Sequence, residues 1–203
     1  GGAVFASGLL AIASLAGVER SYGFLKWGTA LAAFIGALLT TLLVYSLSRV
    51  QGKTVVVNLI LVGVAINAMA GGFVTLFSFI GGTMAQSQVV FWQLGSLAGA
   101  GWSSAVITLI ITVIGIVIAC LCAPKMDLLA LGENQARHLG VNVERFRLCV
   151  IILVAALVGV GVAFAGVIAF VGLIVPHAIR LIIGPQHKWL LPTSAFGGAF
   201  VLL

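Results

Sequence analysis

Residues 103–123 read "SSAVITLIITVIGIVIACLCA", a run of 21 positions without a charged side chain. A helix rises about 1.5 Å per residue, so this run is long enough to cross a bilayer core, which takes about 20 residues. Its apolar residues are continuous and do not alternate with polar ones, which favours a spanning helix over a strand of a barrel. The run predicts an α-helical membrane protein.

The composition of the whole chain extends this prediction beyond one run. Its 203 residues are 62% hydrophobic and only 7% charged, whereas a soluble domain carries about 25% charged residues. So few charges could not cover a water-facing surface, so we expect a polytopic, all-α protein embedded in the lipid bilayer. The net charge of +6 then indicates basic loops on the cytoplasmic side, and not a nucleic-acid partner.

Charge-free segments predict seven spans. We place them at 1–18, 27–48, 55–80, 103–123, 148–165 and 166–179, with a last one from about Trp189. The polar stretch 81–102 is expected to form a loop or a short surface helix. Small residues at four-residue spacing predict close helix packing; they are Gly28, Ala32 and Gly36, Ala68 and Gly72, and Gly159 and Ala163.

The distribution of basic residues predicts the orientation. The loops at 49–53, 124–147 and 180–188 hold eight Lys and Arg, while those at 19–26 and 81–102 hold two. Basic loops prefer the cytoplasm, so the first group is predicted to lie inside. Both flanks of 148–179 are then on one side, which requires two crossings with a tight reversal near Ala165-Gly166.

Few residues suggest chemistry. "QGKT" at 51–54 resembles the end of a phosphate-binding loop, but Leu47 stands where the required glycine would be, so ATP hydrolysis is expected on another chain. No Asp or Glu falls within a predicted span, which argues against a secondary transporter. The sequence shows no nucleophile–base pair and no His/Glu cluster, so we expect no enzyme activity, metal or cofactor. Pro176 and His177 could form a structural kink with a bundle hydrogen bond, or take part in transport.

The polar stretch "LGENQARHLGVN" at 131–142 interrupts the apolar pattern. Glu133 and Arg137 stand four residues apart with the acid first, which predicts a helical ion pair. Gly132 can start a short helix and Gly140 can end it. We expect a helix, a glycine turn and then a second helix.

That second helix is predicted to begin after Asn142, which can cap it, with Glu144 in its first turn. The segment has two interpretations, an ordinary amphipathic connector or a docking surface for a cytoplasmic partner. In the third predicted span, Asn67 could likewise line a pathway or bond to a neighbouring helix.

Four motifs resemble one family, the permeases of ABC importers for vitamin B12, ferric siderophores and haem. They are "LVGVAINAMAG" at 61–71, "FWQLGSLAGAGW" at 91–102, "LLALGENQARHLGVNVERFR" at 128–147 and "GVIAFVGLIVPHAIRLIIGPQHKWLLPTSAFGGA" at 166–199. The resemblance covers nearly the whole chain. It implies a single permease domain over 1–203, with Gly1 near the third of ten family spans and a coupling segment at about 124–147.

The resemblance also implies partners and site residues. It implies a homodimer, ATP-binding cassette subunits on the cytoplasmic side and an extracytoplasmic substrate-binding protein, all at a prokaryotic cell (inner) membrane. Contacts with the ATPase are expected at Gly132, Glu133, Ala136, Arg137, Leu139 and Gly140, and Asn67 and Met69 are candidates for the translocation pathway. The cargo is expected to be an iron chelate, haem or a ferric siderophore, with cobalamin as the alternative.

Overall fold

The computed structural model describes residues 8, 22–50, 53–97, 101–168 and 170–202. Those residues form eight helices and one hairpin of two two-residue strands, which confirms the predicted all-α fold. The elements are α1 (Tyr22–Leu47), β1 (Arg49–Val50), β2 (Lys53–Thr54), α2 (Val56–Ile80), α3 (Gly82–Leu94), α4 (Trp102–Ala130), α5 (Glu133–His138), α6 (Val143–Ala165), α7 (Val171–Ile183) and α8 (His187–Leu202). The predicted span 1–18 lies outside the described residues, apart from Gly8.

Four of these helices are long and apolar enough to cross a membrane: α1 from Trp27, α2, α4 and α6. They contain the predicted spans 27–48, 55–80, 103–123 and 148–165 almost entirely. The chain is therefore a multi-pass membrane protein. Helix α7 has 13 residues, so at about 1.5 Å per residue it is shorter than a bilayer core of about 30 Å. The predicted count of seven spans is therefore only approximate.

The helices bury small side chains and expose large ones. Ala30, Ala33 and Ala123 are buried, whereas Leu121, Leu181 and Phe196 each leave more than three quarters of their surface exposed. Alanine lets helix backbones approach closely, and large apolar side chains that face outward suit lipid and not water. In a soluble protein large apolar side chains are mostly buried, and here they face outward because lipid surrounds the helices.

One compact unit consists of residues 1–105 and 154–167. Within it the C-terminal half of α6 lies against α1, because a Cβ built at Gly159 would be 3.1 Å from the Phe34 ring. Trp27 meets Phe164 edge-on at 5.8 Å between ring centroids. The small residue predicted at Gly159 is thus a packing residue. A Cβ at Gly72 meets nothing within 4 Å, so packing at Gly72 stays a prediction.

Helix α6 ends at the predicted break near Ala165-Gly166. Gly166 has φ 75°, and a Cβ there would stand 2.2 Å from the Trp92 carbonyl oxygen. The Val167 N–H donates to that same oxygen at 3.2 Å, and the Ser96 N–H donates to the Ala165 carbonyl at 2.8 Å. Helix α7 begins only at Val171, later than the predicted span at 166–179, because Phe170 also holds a left-handed φ of 67°. The stretch 81–102, predicted as a loop or a short surface helix, contains the helix α3 up to Leu94.

The second unit consists of residues 106–153 and 168–203. In it α7 packs on α8, and Gly197 allows the close approach, since a Cβ there would be 2.7 Å from Ile179 Cδ1. Helix α4 continues through Pro124 to Ala130, so the predicted loop 124–147 starts later than expected. Proline removes one backbone donor, and here the helical backbone continues beyond it.

Candidate coupling segment

Residues 131–142 fold as the predicted helix followed by a glycine turn. Gly132 precedes α5 with φ 123°, and Gly140 follows it with φ 83°. The Gly140 N–H donates to the Arg137 carbonyl and the Val141 N–H donates to the Ala136 carbonyl, both at 3.0 Å. This pair of bonds is the Schellman motif, in which the residue at the Gly140 position must adopt a left-handed conformation. The glycine is therefore required by the turn.

The second helix begins as predicted. The Arg145 N–H donates to Asn142 Oδ1 at 3.2 Å, so the Asn142 side chain satisfies one of the unpaired donors at the start of α6. Glu144 lies in the first turn of α6, where a carboxylate interacts favourably with the helix dipole. The short α5 and the long α6 are thus joined by only four residues.

The predicted ion pair between Glu133 and Arg137 is wrong. Glu133 instead binds Arg147, whose other guanidinium nitrogen lies 3.5 Å from the Glu144 carboxylate. The turn at Gly140 folds α5 back towards α6, so a residue 14 positions away is a better partner for Glu133 than the next turn of its own helix. One arginine with two carboxylates therefore fastens α5 to the start of α6.

The segment has a buried side and an exposed side. Ala136 is fully buried and Val143 is 2% exposed, so both anchor the segment to the protein. Leu131 and Leu139, in contrast, are 66% and 65% exposed at the two ends of α5. The buried position of Ala136 also means that its predicted contact with a partner is not made by its side chain.

The remaining residues predicted for this segment lie on its accessible part. Arg137 is in the last turn of α5, where a cation suits the negative end of the helix dipole. Its side chain is exposed, as is that of Glu133, and Gly132 and Gly140 supply the turns on either side. The structure thus groups Glu133, Arg137 and Leu139 on one short helix and its C-cap.

The pathway candidates Asn67 and Met69 both lie in α2 and are both exposed. Two residues apart in a helix means a rotation of about 200°, so their side chains point to nearly opposite faces. One face of α2 cannot present both residues to a single pathway. Each therefore remains a separate prediction.

Pro176 and His177 lie inside α7, as predicted. His177 is exposed on this helix, while Val175 beside them is buried. The proline frees a backbone carbonyl one turn earlier, which is compatible with a kink. The choice between a structural role and a role in transport stays a prediction.

Three residues that organise this region, Arg147, Asp127 and His187, were missed by sequence reasoning. Arg147 looked like one more basic loop residue. Asp127 and His187 are 60 positions apart, yet Asp127 Oδ1 lies 2.5 Å from His187 Nδ1 and accepts the His187 backbone N–H at 3.1 Å. A tertiary contact at such a separation has no local signal.

The geometry defines a class first: a multi-pass α-helical membrane protein in which a short helix–turn–helix segment connects two long apolar helices. A family model described as the FecCD transport family matches residues 2–203. The chain belongs to the FecCD transport family.

Named relatives agree with this membership. The chain is 41% identical over 171 residues to the hemin transport system permease protein HmuU of Yersinia pestis, covering 84% of this chain and 51% of the relative. It is 39% identical over 173 residues to the vitamin B12 import system permease protein BtuC of Vibrio vulnificus, covering 85% and 52%. The chain thus spans about half the length of these curated relatives.

A solved structure has the same fold. It is described as an inward-facing conformation of a metal-chelate type ABC transporter, with a TM-score of 0.83 and 28% identity. The match covers 100% of this chain and 63% of the other. The resemblance seen in the four sequence motifs is therefore confirmed at the level of the family and of the fold.

Proposed function

We propose that this chain is part of the transmembrane permease of an ABC importer, in a prokaryotic cell membrane, that moves a large metal chelate into the cytoplasm. ATP is hydrolysed on separate ATP-binding cassette subunits, and an extracytoplasmic binding protein delivers the cargo to a homodimer of permeases. The permease itself is not an enzyme.

The observation that carries this proposal is the sidedness of the coupling segment. Ala136 and the Arg147 ion pairs hold α5 firmly on α6, while Leu131 and Leu139 remain exposed. A short helix that presents apolar side chains next to charged ones has the composition of a protein-binding surface. Because α5 is held on the start of α6, a displacement of α5 would move this candidate span.

The cargo we propose is an iron chelate, haem or a ferric siderophore, with cobalamin as the alternative. The relatives named above include a hemin permease and a vitamin B12 permease, which support both choices. Competition uptake with hemin, a ferric siderophore and cyanocobalamin distinguishes them. Uptake of hemin that excess cyanocobalamin does not reduce supports the iron chelate, and the reverse result supports cobalamin.

The runner-up is a secondary transporter, which would need no ATPase. The complete polypeptide that contains this chain should therefore be purified together with candidate ATP-binding subunits. We expect co-purification and loss of uptake when the ATPase is inactivated. Uptake that persists with an inactive ATPase, without any co-purifying subunit, would contradict the importer.

A variant series tests the segment itself. Glu133→Arg places a cation beside Arg147 in place of its carboxylate partner, so we expect uptake to fall by about tenfold or more, within the range of coupling energies between sites. Gly140→Pro should have the same effect, because proline cannot adopt a positive φ or donate the bond to Arg137. Both variants should still insert into the membrane.

The matched control is Asn134→Arg, which introduces the same side chain at the neighbouring exposed position and leaves both carboxylate partners of Arg147 in place. We expect it to retain most of its uptake. Equal loss in Asn134→Arg and Glu133→Arg would mean that added charge alone is responsible, and normal uptake in Glu133→Arg and Gly140→Pro would contradict the coupling role.

A further inference from the structure

Two helix ends in the second unit are joined by a contact that the coupling segment alone does not explain. Asp127 lies in the last turns of α4, six residues before Glu133, and His187 is the first residue of α8. The carboxylate of Asp127 approaches both the side chain and the backbone of His187. A single residue of α4 thus binds the first residue of a helix that begins 60 positions further along the chain.

The geometry restrains both elements. One oxygen, Asp127 Oδ1, accepts the His187 backbone N–H at 3.1 Å and lies 2.5 Å from His187 Nδ1. Because the two donors belong to the same residue, the contact fixes the imidazole ring and the helix backbone together. The first N–H groups of a helix have no partner within the helix, and a carboxylate there also interacts favourably with the helix dipole.

The contact between Asp127 and His187 lies close to the coupling segment along the chain. Ala130 ends α4 and Glu133 begins α5 after only two intervening residues, so a displacement of α5 pulls on the end of α4. Arg147 connects the same short helix to α6. The structure therefore provides two routes out of α5, one to α6 through Glu133 and one to α8 through Asp127.

Helix α8 in turn passes a displacement to α7. These two helices pack on each other, and Gly197 brings them close enough that a Cβ there would overlap Ile179. Pro176 and His177 lie in the packed helix α7. A movement of the α8 start would hence reach the helix that contains Pro176 and His177.

We propose that Asp127 and His187 are positioning residues that transmit the displacement of the coupling segment from the end of α4 to the α7–α8 pair. This inference rests on the proposed function. It concerns how ATP hydrolysis on a partner moves the spans, and it assigns the task to two side chains that lie outside α5.

The test compares transport with ATP hydrolysis in the same vesicles. The complete transporter is reconstituted with its ATP-binding subunits and binding protein, and hemin, a ferric siderophore and cyanocobalamin are the probes. The readout is the number of ATP molecules hydrolysed per probe molecule taken up. A residue that only stabilises the fold changes the amount and the melting temperature of the protein, but it leaves this ratio unchanged.

The variants remove the contact in steps. Asp127→Ala deletes the acceptor of both bonds, and we expect the ratio to rise about fivefold or more, the lower end of the usual coupling range. His187→Ala keeps the backbone bond and should give a smaller rise. His187→Asn restores a side-chain donor near the position of Nδ1 and should return the ratio towards that of the wild type.

Controls separate the possible outcomes. Lys188→Ala removes an exposed charge next to His187 and keeps both contacts with Asp127, so it should leave the ratio unchanged. Should Asp127→Ala fail to fold, the comparison of His187→Ala with His187→Asn still decides. A wild-type ratio in His187→Ala and in a folded Asp127→Ala overturns the inference while the importer stands. A wild-type transporter that takes up none of the three probes with ATP overturns the proposed function and this inference together.

Discussion

Gly140 and Arg147 determine how the coupling segment is built at the level of single residues. Gly140 adopts a φ of 83° that closes the Schellman bonds of α5. Arg147 then joins the two acids that lie on either side of this turn, with its own side chain only 15% exposed. Backbone conformation thus sets the direction of the chain, and the ion pairs hold the result in place.

Gly140→Ala is predicted to loosen this turn. A side chain in the left-handed region costs about 1–2 kcal/mol, so the Val141 amide should exchange its hydrogen about tenfold faster, which corresponds to about 1.4 kcal/mol. Gly63→Ala is the control, because Gly63 lies within α2 with an ordinary φ and open space around it. Exchange at Val141 that is equally slow in both variants would contradict the role of Gly140.

At the level of elements, the end of α6 depends on a close backbone contact. Gly166 leaves room for the Trp92 carbonyl oxygen, which in turn accepts a bond from Val167. The Ser96 N–H reaches back to Ala165 in the same place. The loop after α3 and the end of α6 therefore satisfy each other's polar groups, as a membrane protein must do away from water.

Gly166→Ala should be far more harmful than a substitution in the middle of the same helix. Its Cβ would stand 2.2 Å from a backbone oxygen that cannot rotate away, so we expect a loss above about 3 kcal/mol, which few mutations exceed. Gly161→Ala, with nothing within 4 Å of its Cβ, should change stability by less than about 0.5 kcal/mol.

Thermal unfolding of the detergent-solubilised protein measures the difference between these two variants. The amount of each variant in the membrane provides a second measure. Similar melting temperatures and similar amounts in the membrane for Gly166→Ala and Gly161→Ala would contradict the described contact between α3 and α6.

For the whole molecule, the main consequence of the fold is topology. Helix α4 is a candidate span that lies between α3 and α5. A single crossing between them would place the 81–102 region and the coupling segment on opposite sides of the membrane. The count of basic residues predicts that the coupling segment is the one in the cytoplasm.

Cysteine labelling tests this arrangement. In a variant from which Cys120, Cys122 and Cys149 have been replaced, a new cysteine is introduced at the exposed Gln135 or the exposed Gln93. A membrane-impermeant maleimide should label Gln93→Cys in right-side-out vesicles and Gln135→Cys only in inverted ones. Labelling of both from the same side would contradict the orientation and, with it, the proposed position of the ATPase.

Sequence reasoning was accurate where the physical cause is local. The helices follow from long apolar runs, and the turn at Gly132, Gly140 and Asn142 follows from residue types whose backbone or capping preferences act over four residues or fewer. The break near Ala165-Gly166 was inferred from charge on its two flanks. Its position is confirmed, although α7 begins later because Phe170 also has a positive φ.

The amino-acid sequence by itself determined that this protein lies in a membrane and where its helices are, because hydropathy and turn preferences act between neighbouring residues. Its motifs determined its membership of a transport family. Only the tertiary structure decided which polar side chains contact each other. Glu133 binds Arg147 and not Arg137, and Asp127 binds His187 across 60 positions. The reason is that an ion pair depends on distance in space, which chain folding sets after the local preferences have been satisfied.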